Sequence, residues 1–151
     1  MELKKLLKNI TYFTKSNIDN INIVQITHNS RETQKGSLFI ALKGYKTNGN
    51  LYINEAINKG AAAILSDDKN VNHPIPYIKV NNARECMSKI SSNFYSYDPS
   101  KMKLIGVTGT NGKTSICHII SDILTNIKIN NFTIGTLGLI SSKGVLKTNF
   151  T

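Results

Sequence analysis

The sequence predicts an α/β fold in two parts, and three observations predict it. Between residues 1 and 98, short apolar runs alternate with stretches whose apolar residues recur at helical spacing. From 104 to 127 an apolar run, a glycine turn and an amphipathic stretch follow one another, the order of strand, loop and helix. Between them Asp98, Pro99 and Ser100 form a polar break. Proline disfavours helix at the residue before it, so the boundary falls between a domain of residues 1–98 and the start of a second α/β unit in 99–151.

Each element has a local reason. Leu3, Leu6, Leu7 and Ile10 keep helical spacing and predict a surface helix; with no apolar run or small-residue cleavage site, this is not a signal peptide. Residues 21–27 and 37–42 read as strands flanking the turn at Lys35 and Gly36. After a polar loop at 45–50, Ile53, Ala56 and Ile57 predict a short helix over 52–59, which Gly60 ends. Strands at 61–65 and 77–80 follow, separated by an acidic loop and the prolines at 74 and 76. Ala83, Met87, Ile90, Phe94 and Tyr97 then trace one helical face, with Asn81 or Asn82 as its cap. In the second part, 104–107 suits a buried strand, and Ile116, Ile119, Ile120, Ile123, Leu124 and Ile127 predict a helix to about 126. A strand at 132–136 and a hairpin through Ser141, Ser142, Lys143 and Gly144 complete it. A parallel sheet with so few strands leaves much apolar surface uncovered, which predicts an incomplete central domain and an N-terminal part of a longer protein.

Composition narrows the function classes. With 151 residues, 40% hydrophobic and 19% charged, the chain is globular, and no apolar run approaches the roughly 20 residues of a membrane helix. A formal charge of +10 raises nucleic-acid binding. The basic residues, however, are scattered: 17 are Lys and two are Arg, and no run exceeds Lys4-Lys5. Base readers lean on the arginine fork, so a drift of composition towards Ile, Lys and Asn explains the charge more simply. Cys86 and Cys117 lie in apolar helical faces, and His28, His73 and His118 show no ligand spacing with them. A reducing cytoplasm is the natural compartment.

The chemistry sits in the second part. Gly109 and Gly112 let the main chain wrap close to an anion at a helix N-terminus, where the first N–H groups lack intrahelical partners and the dipole favours negative charge. Lys113 adds a full positive charge for terminal phosphates. Thr114 supplies the hydroxyl that such loops place on magnesium. The general pattern G-x-x-x-x-G-K-[ST] requires glycine at 107, where this sequence has Val107, so the loop is a variant.

With Gly106-Val-Thr-Gly-Thr-Asn-Gly-Lys-Thr114 and Thr133-Ile-Gly-Thr-Leu-Gly138 in view, the sequence resembles the Mur ligases, the ATP-dependent amide-bond enzymes of peptidoglycan assembly. Val107 is what that family's loop carries. Ser30-Arg-Glu-Thr-Gln-Lys-Gly-Ser-Leu-Phe39, Asn48-Gly49 and Ala56 to Ala62 resemble the family's UDP-binding domain. The likeness covers nearly the whole chain and favours the member adding the third residue, diaminopimelate or lysine, to UDP-N-acetylmuramoyl-L-alanyl-D-glutamate. The member adding D-alanyl-D-alanine is the alternative within the family, and a non-catalytic nucleotide- or nucleic-acid-binding protein the alternative outside it.

What the resemblance implies can be stated by residue. His28 and Ser30 stand where the family contacts uridine, and Tyr45, Lys46 and Thr47 where its next loop meets the UDP moiety. Asn29 replaces the family's usual aspartate, losing a charge but keeping turn-forming ability. Gly109, Thr110, Asn111, Gly112, Lys113, Thr114 and Ser115 match the ATP loop, with Lys113 catalytic on the phosphates and Thr114 towards Mg2+; Ser115 stands for a second threonine. Thr151 falls where a substrate-binding threonine motif begins. The resemblance further implies a cytoplasmic monomer that takes ATP, Mg2+, the UDP-muramoyl dipeptide and an amino acid, with no nucleic-acid partner and no membrane insertion. The remaining catalytic groups are expected beyond Thr151, and the 151 residues alone are expected to show no turnover.

Overall fold

The computed structural model describes residues 1–44, 47–69, 73–141 and 144–146. The chain divides into two compact units, Met1–Met102 and Lys103–Thr151.

In the first unit, parallel strands β2 (Gln25–Thr27), β3 (Ser37–Ala41), β4 (Ala63–Ser66) and β5 (Tyr77–Val80) lie side by side in chain order, and β1 (Tyr12–Phe13) closes the β5 edge antiparallel. Every residue of β3 and β4 is buried, the signature of parallel strands covered on both faces. The pleat divides them. Leu38, Ile40, Ala63, Leu65, Ile78 and Val80 form one core with α1 (Leu3–Leu6) and α3 (Ala83–Phe94). Phe39, Ala41, Ile64 and Tyr77 form a second with α2 (Ile53–Asn58).

Most of these elements lie where the sequence predicts them, and the start of the chain differs. α1 is a single turn with Leu3 and Leu6 fully buried, not a longer surface helix, and Asn9 turns the chain with a φ of +63°. The expected strand at 21–27 contributes only its last three residues to the sheet. Before them, Leu3 N–H donates to the Ile21 carbonyl at 2.8 Å and Ile23 N–H to that of Met1 at 2.7 Å, so 21–23 are taken by the N-terminus. The two-residue β1 is too short to leave a periodic signal. Gly60 ends α2 with a φ of +95°, and the Asn82 side chain caps α3 by accepting from Glu85 N–H at 3.1 Å.

In the second unit α4 runs Lys113–Asn126, followed by β6 (Phe132–Gly135), β7 (Gly138–Ser141) and β8 (Gly144–Leu146). Two expectations are corrected here. Residues 104–107 form no strand: a strand exists through ladder partners, and β6 pairs only with β7 among the described residues, so Leu104 is left 91% exposed. The sheet is an antiparallel meander, not a parallel one, because two residues suffice to reverse the chain between Gly135 and Gly138. Ser142 and Lys143 of the expected hairpin lie outside the described residues. No helix among the described residues is long and apolar enough to cross a membrane.

Candidate phosphate loop and nucleotide crevice

The loop at 109–115 is built by the start of α4. Gly112 occupies the N-cap with a φ of +77°, a left-handed backbone that costs an L side chain about 1–2 kcal/mol. A Cβ there would meet nothing within 4 Å, so backbone conformation and not crowding selects glycine. The Gly112 carbonyl opens the helix ladder by accepting from Ile116 N–H at 2.9 Å. As cap it has no side chain to satisfy the first-turn N–H groups, which leaves them available to an anion.

Lys113 Nζ donates to the carbonyls of Gly109 at 2.5 Å and Thr110 at 3.1 Å, which ties the ammonium to the loop and leaves one of its three protons for another acceptor. Gly109, Thr110, Asn111, Gly112, Lys113, Thr114 and Ser115 are all exposed. Thr114 also borders a cavity of about 60 Å³ with Cys117, His118 and Thr133. The Thr133 hydroxyl is buried there without a hydrogen-bond partner. Among the described residues no group of three or more His, Cys, Asp or Glu side chains is gathered around a possible metal position.

In the first unit, His28 and Ser30 follow the carboxyl end of β2, and Thr47 follows that of β3, its parallel neighbour. Open α/β sheets bind ligands outside these strand ends. His28 and Thr47 are exposed, while Ser30 is 7% exposed. Asn29 Oδ1 accepts from Arg31 N–H at 3.1 Å, so the turn role expected of this residue survives the change from aspartate. Its Nδ2 donates to Glu32 at 2.9 Å, a bond that aspartate has no proton to make.

The following loop is pinned. Gly44 N–H donates to the Thr47 carbonyl at 2.9 Å and Gly49 N–H to that of Leu42 at 2.8 Å. A Cβ on Gly49 would sit 2.7 Å from the Leu42 backbone, so only glycine fits that approach. Fully buried Ser66 donates to Asn50 Oδ1 at 2.6 Å, joining the loop to the end of β4. Tyr45, Lys46 and Thr151 lie outside the described residues.

Sequence reasoning missed Glu55. Its carboxylate accepts from the Ser30 hydroxyl at 2.7 Å and pairs with Lys59 at 3.2 Å, and these two hydrogen bonds, Ser30's foremost, hold it below the usual carboxylate range. The contact joins residues 25 apart, which no local pattern signals.

Comparison with known proteins decides the family. Residues 22–95 match the family described as Mur ligase family, catalytic domain, a stretch that contains β2 to α3 and ends before the loop at 109–115. The UDP-N-acetylmuramoyl-L-alanyl-D-glutamate--2,6-diaminopimelate ligase of Alkaliphilus oremlandii (strain OhILAs) is 44% identical over 142 residues, 94% of this chain and 28% of that protein. The chain belongs to the Mur ligase family. This Mur ligase chain spans less than a third of the length of the curated relatives it matches. Its fold is like that of a solved UDP-N-acetylmuramoyl-L-alanyl-D-glutamate--2,6-diaminopimelate ligase, with a TM-score of 0.67 at 23% identity over 87% of the Mur ligase chain and 27% of the other. MurF ligase from Thermotoga maritima, solved in complex with ADP, gives a TM-score of 0.53 at 30% identity over 68% and 23%.

Proposed function

We propose that the chain carries the substrate-binding domain, residues 1–98, and the first part of the ATP-binding domain, 99–151, of an ATP-dependent ligase. That ligase joins diaminopimelate to UDP-N-acetylmuramoyl-L-alanyl-D-glutamate. The carrying observation is the 44% identity over 142 residues to a relative of that name. Relatives named alike also favour diaminopimelate over lysine as the amine.

In this reaction the D-glutamate carboxylate oxygen attacks the γ-phosphorus of ATP, and the bond to the leaving ADP oxygen breaks. The amine nitrogen of diaminopimelate then attacks the acyl carbon of the resulting acyl phosphate, inorganic phosphate leaves and the nitrogen loses a proton. Charge spreads over phosphoryl oxygens in the first step, so fixed donors aimed at them supply much of the rate. The uncapped N–H groups after Gly112 and the ammonium of Lys113 are such donors. Mg2+ would be held by the Thr114 hydroxyl together with phosphate oxygens, neutralising charge as ADP leaves; an exposed hydroxyl at a helix start suits that ion. His28, Ser30, Tyr45, Lys46 and Thr47 hold the UDP moiety, and Thr151 meets the muramoyl substrate. The enzyme acts as a cytoplasmic monomer and binds no nucleic acid or membrane, a reading the scattered lysines support.

Lys113→Ala in the complete ligase tests the division of labour. ADP release dependent on the UDP-substrate should fall at least about 100-fold, the loss typical of removing one transition-state donor. Calorimetric affinity for the UDP-substrate should change less than about twofold, because the residues read as holding its UDP moiety, His28 to Thr47, lie on another unit. Equal losses of both would refute the reading.

A further inference from the structure

The direction of the Ser30 hydroxyl is set from outside its own loop. Ser30 is almost buried, and its Oγ lies 2.7 Å from Oε2 of Glu55, in the first turn of α2. Oε1 of the same carboxylate faces Lys59 Nζ at 3.2 Å, and Lys59 also donates to the Arg31 carbonyl at 3.0 Å. Lys59 and Arg31 are the cations acting on Glu55, while Glu32 is engaged with Asn29. An ionised carboxylate only accepts, so the proton between the two residues is the serine's. Ser30 Oγ is thereby left with lone pairs alone to offer a ligand.

Pyrimidines differ at the position that reads such a group. Uracil carries an N3–H donor, whereas N3 of cytosine is an acceptor with no proton. We propose that Glu55 is a positioning residue that fixes Ser30 as a hydrogen-bond acceptor and so makes the crevice select uracil over cytosine. This rests on the uridine reading of His28 and Ser30 given above. If Glu55 and Lys59 were merely an exposed i,i+4 pair, their contribution would be small and indifferent to the base.

The two carboxylate oxygens have different partners, which makes Glu55→Gln the decisive variant. Lys59 draws the amide oxygen, the amide nitrogen then faces Ser30 and donates to Oγ, and the serine proton turns outward. Calorimetry on the full chain with UDP and CDP reads the result. The natural chain should prefer UDP by at least about tenfold, since a mispaired buried acceptor costs roughly that much. In Glu55→Gln the ratio should fall to about threefold or less, because cytosine N3 can now accept. Glu55→Ala, which frees the hydroxyl to rotate, should lower it as well.

General damage to the fold weakens both nucleotides alike and leaves the ratio where it was. A natural preference for UDP that persists in both variants overturns the role of Glu55 while the uridine reading stands. Loss of all nucleotide binding in both variants also counts against it, because reorienting one hydroxyl leaves UDP bound. A natural chain that binds neither nucleotide refutes the uridine reading itself.

Discussion

The two units treat their apolar residues in opposite ways. In the first, Phe39, Ile64 and Leu65 of the central strands are fully buried, and helices cover both faces of the sheet. In the second, α4 has no buried residue, and Ile119, Ile123 and Ile127 are each more than half exposed. Yet the helix and its glycine cap are formed. Periodicity and loop chemistry are local and write the glycine loop and its helix without a core beneath them, whereas stability requires the face to be covered.

The largest expected effect comes from separating the units. Residues 1–102 expressed alone should unfold cooperatively, with coincident transitions by circular dichroism and tyrosine fluorescence. Residues 103–151 alone should show no cooperative transition and should brighten the dye ANS, which reports exposed apolar surface. A sharp transition in the second piece would break the comparison, since it would require a core that Leu104, Ile119 and Ile123 do not enter.

Single truncations sharpen it. Phe39→Ala removes a fully buried ring between β3 and α2 and should cost about 3–5 kcal/mol, a large share of the roughly 5–15 kcal/mol of a small domain. Ile123→Ala trims a side chain that is 55% exposed and replaces it with a better helix former. Its effect on the unfolding free energy read from the whole chain's denaturant transition should lie within about 0.5 kcal/mol of zero. Equal costs at the two positions would mean that Ile123 is covered after all.

What the sequence made legible follows the same division. α2, β5, α3 and α4 were readable because their determinants are neighbours in the chain: the glycine at 60, the asparagine at 82, the recurring isoleucines after 112. The strand expected at 104–107 failed because a ladder partner is not a property of the strand's own residues. β1 and the capture of 21–23 by the N-terminus were illegible for a related reason, since both depend on pairings 18 or more residues apart. In the candidate site, the glycines and Lys113 could be named from spacing. The contacts that tie down the loops after β2 and β3, Ser30 with Glu55 and Ser66 with Asn50, cross 25 and 16 residues and carry no local mark.

A smaller effect than the loss of the Phe39 ring separates the two helix starts. Asn82 caps α3 with its side chain, from an extended backbone with a φ of −145°, and accepts from Glu85 N–H. Asn82→Ala therefore loses one hydrogen bond and should cost about 1 kcal/mol, or roughly 4–8 °C in the melting temperature of the first unit. Gly112 caps α4 with no side-chain bond to lose, and an added methyl would meet open space. Gly112→Ala can act only through its left-handed φ, so it should leave that first-unit transition unmoved while loosening the loop that Lys113 closes onto Gly109 and Thr110. Amide exchange at Ile116, whose N–H donates to the Gly112 carbonyl at 2.9 Å, reads that loosening directly, as faster exchange in the variant. Unchanged exchange there would mean that the loop, not the cap, holds the start of α4.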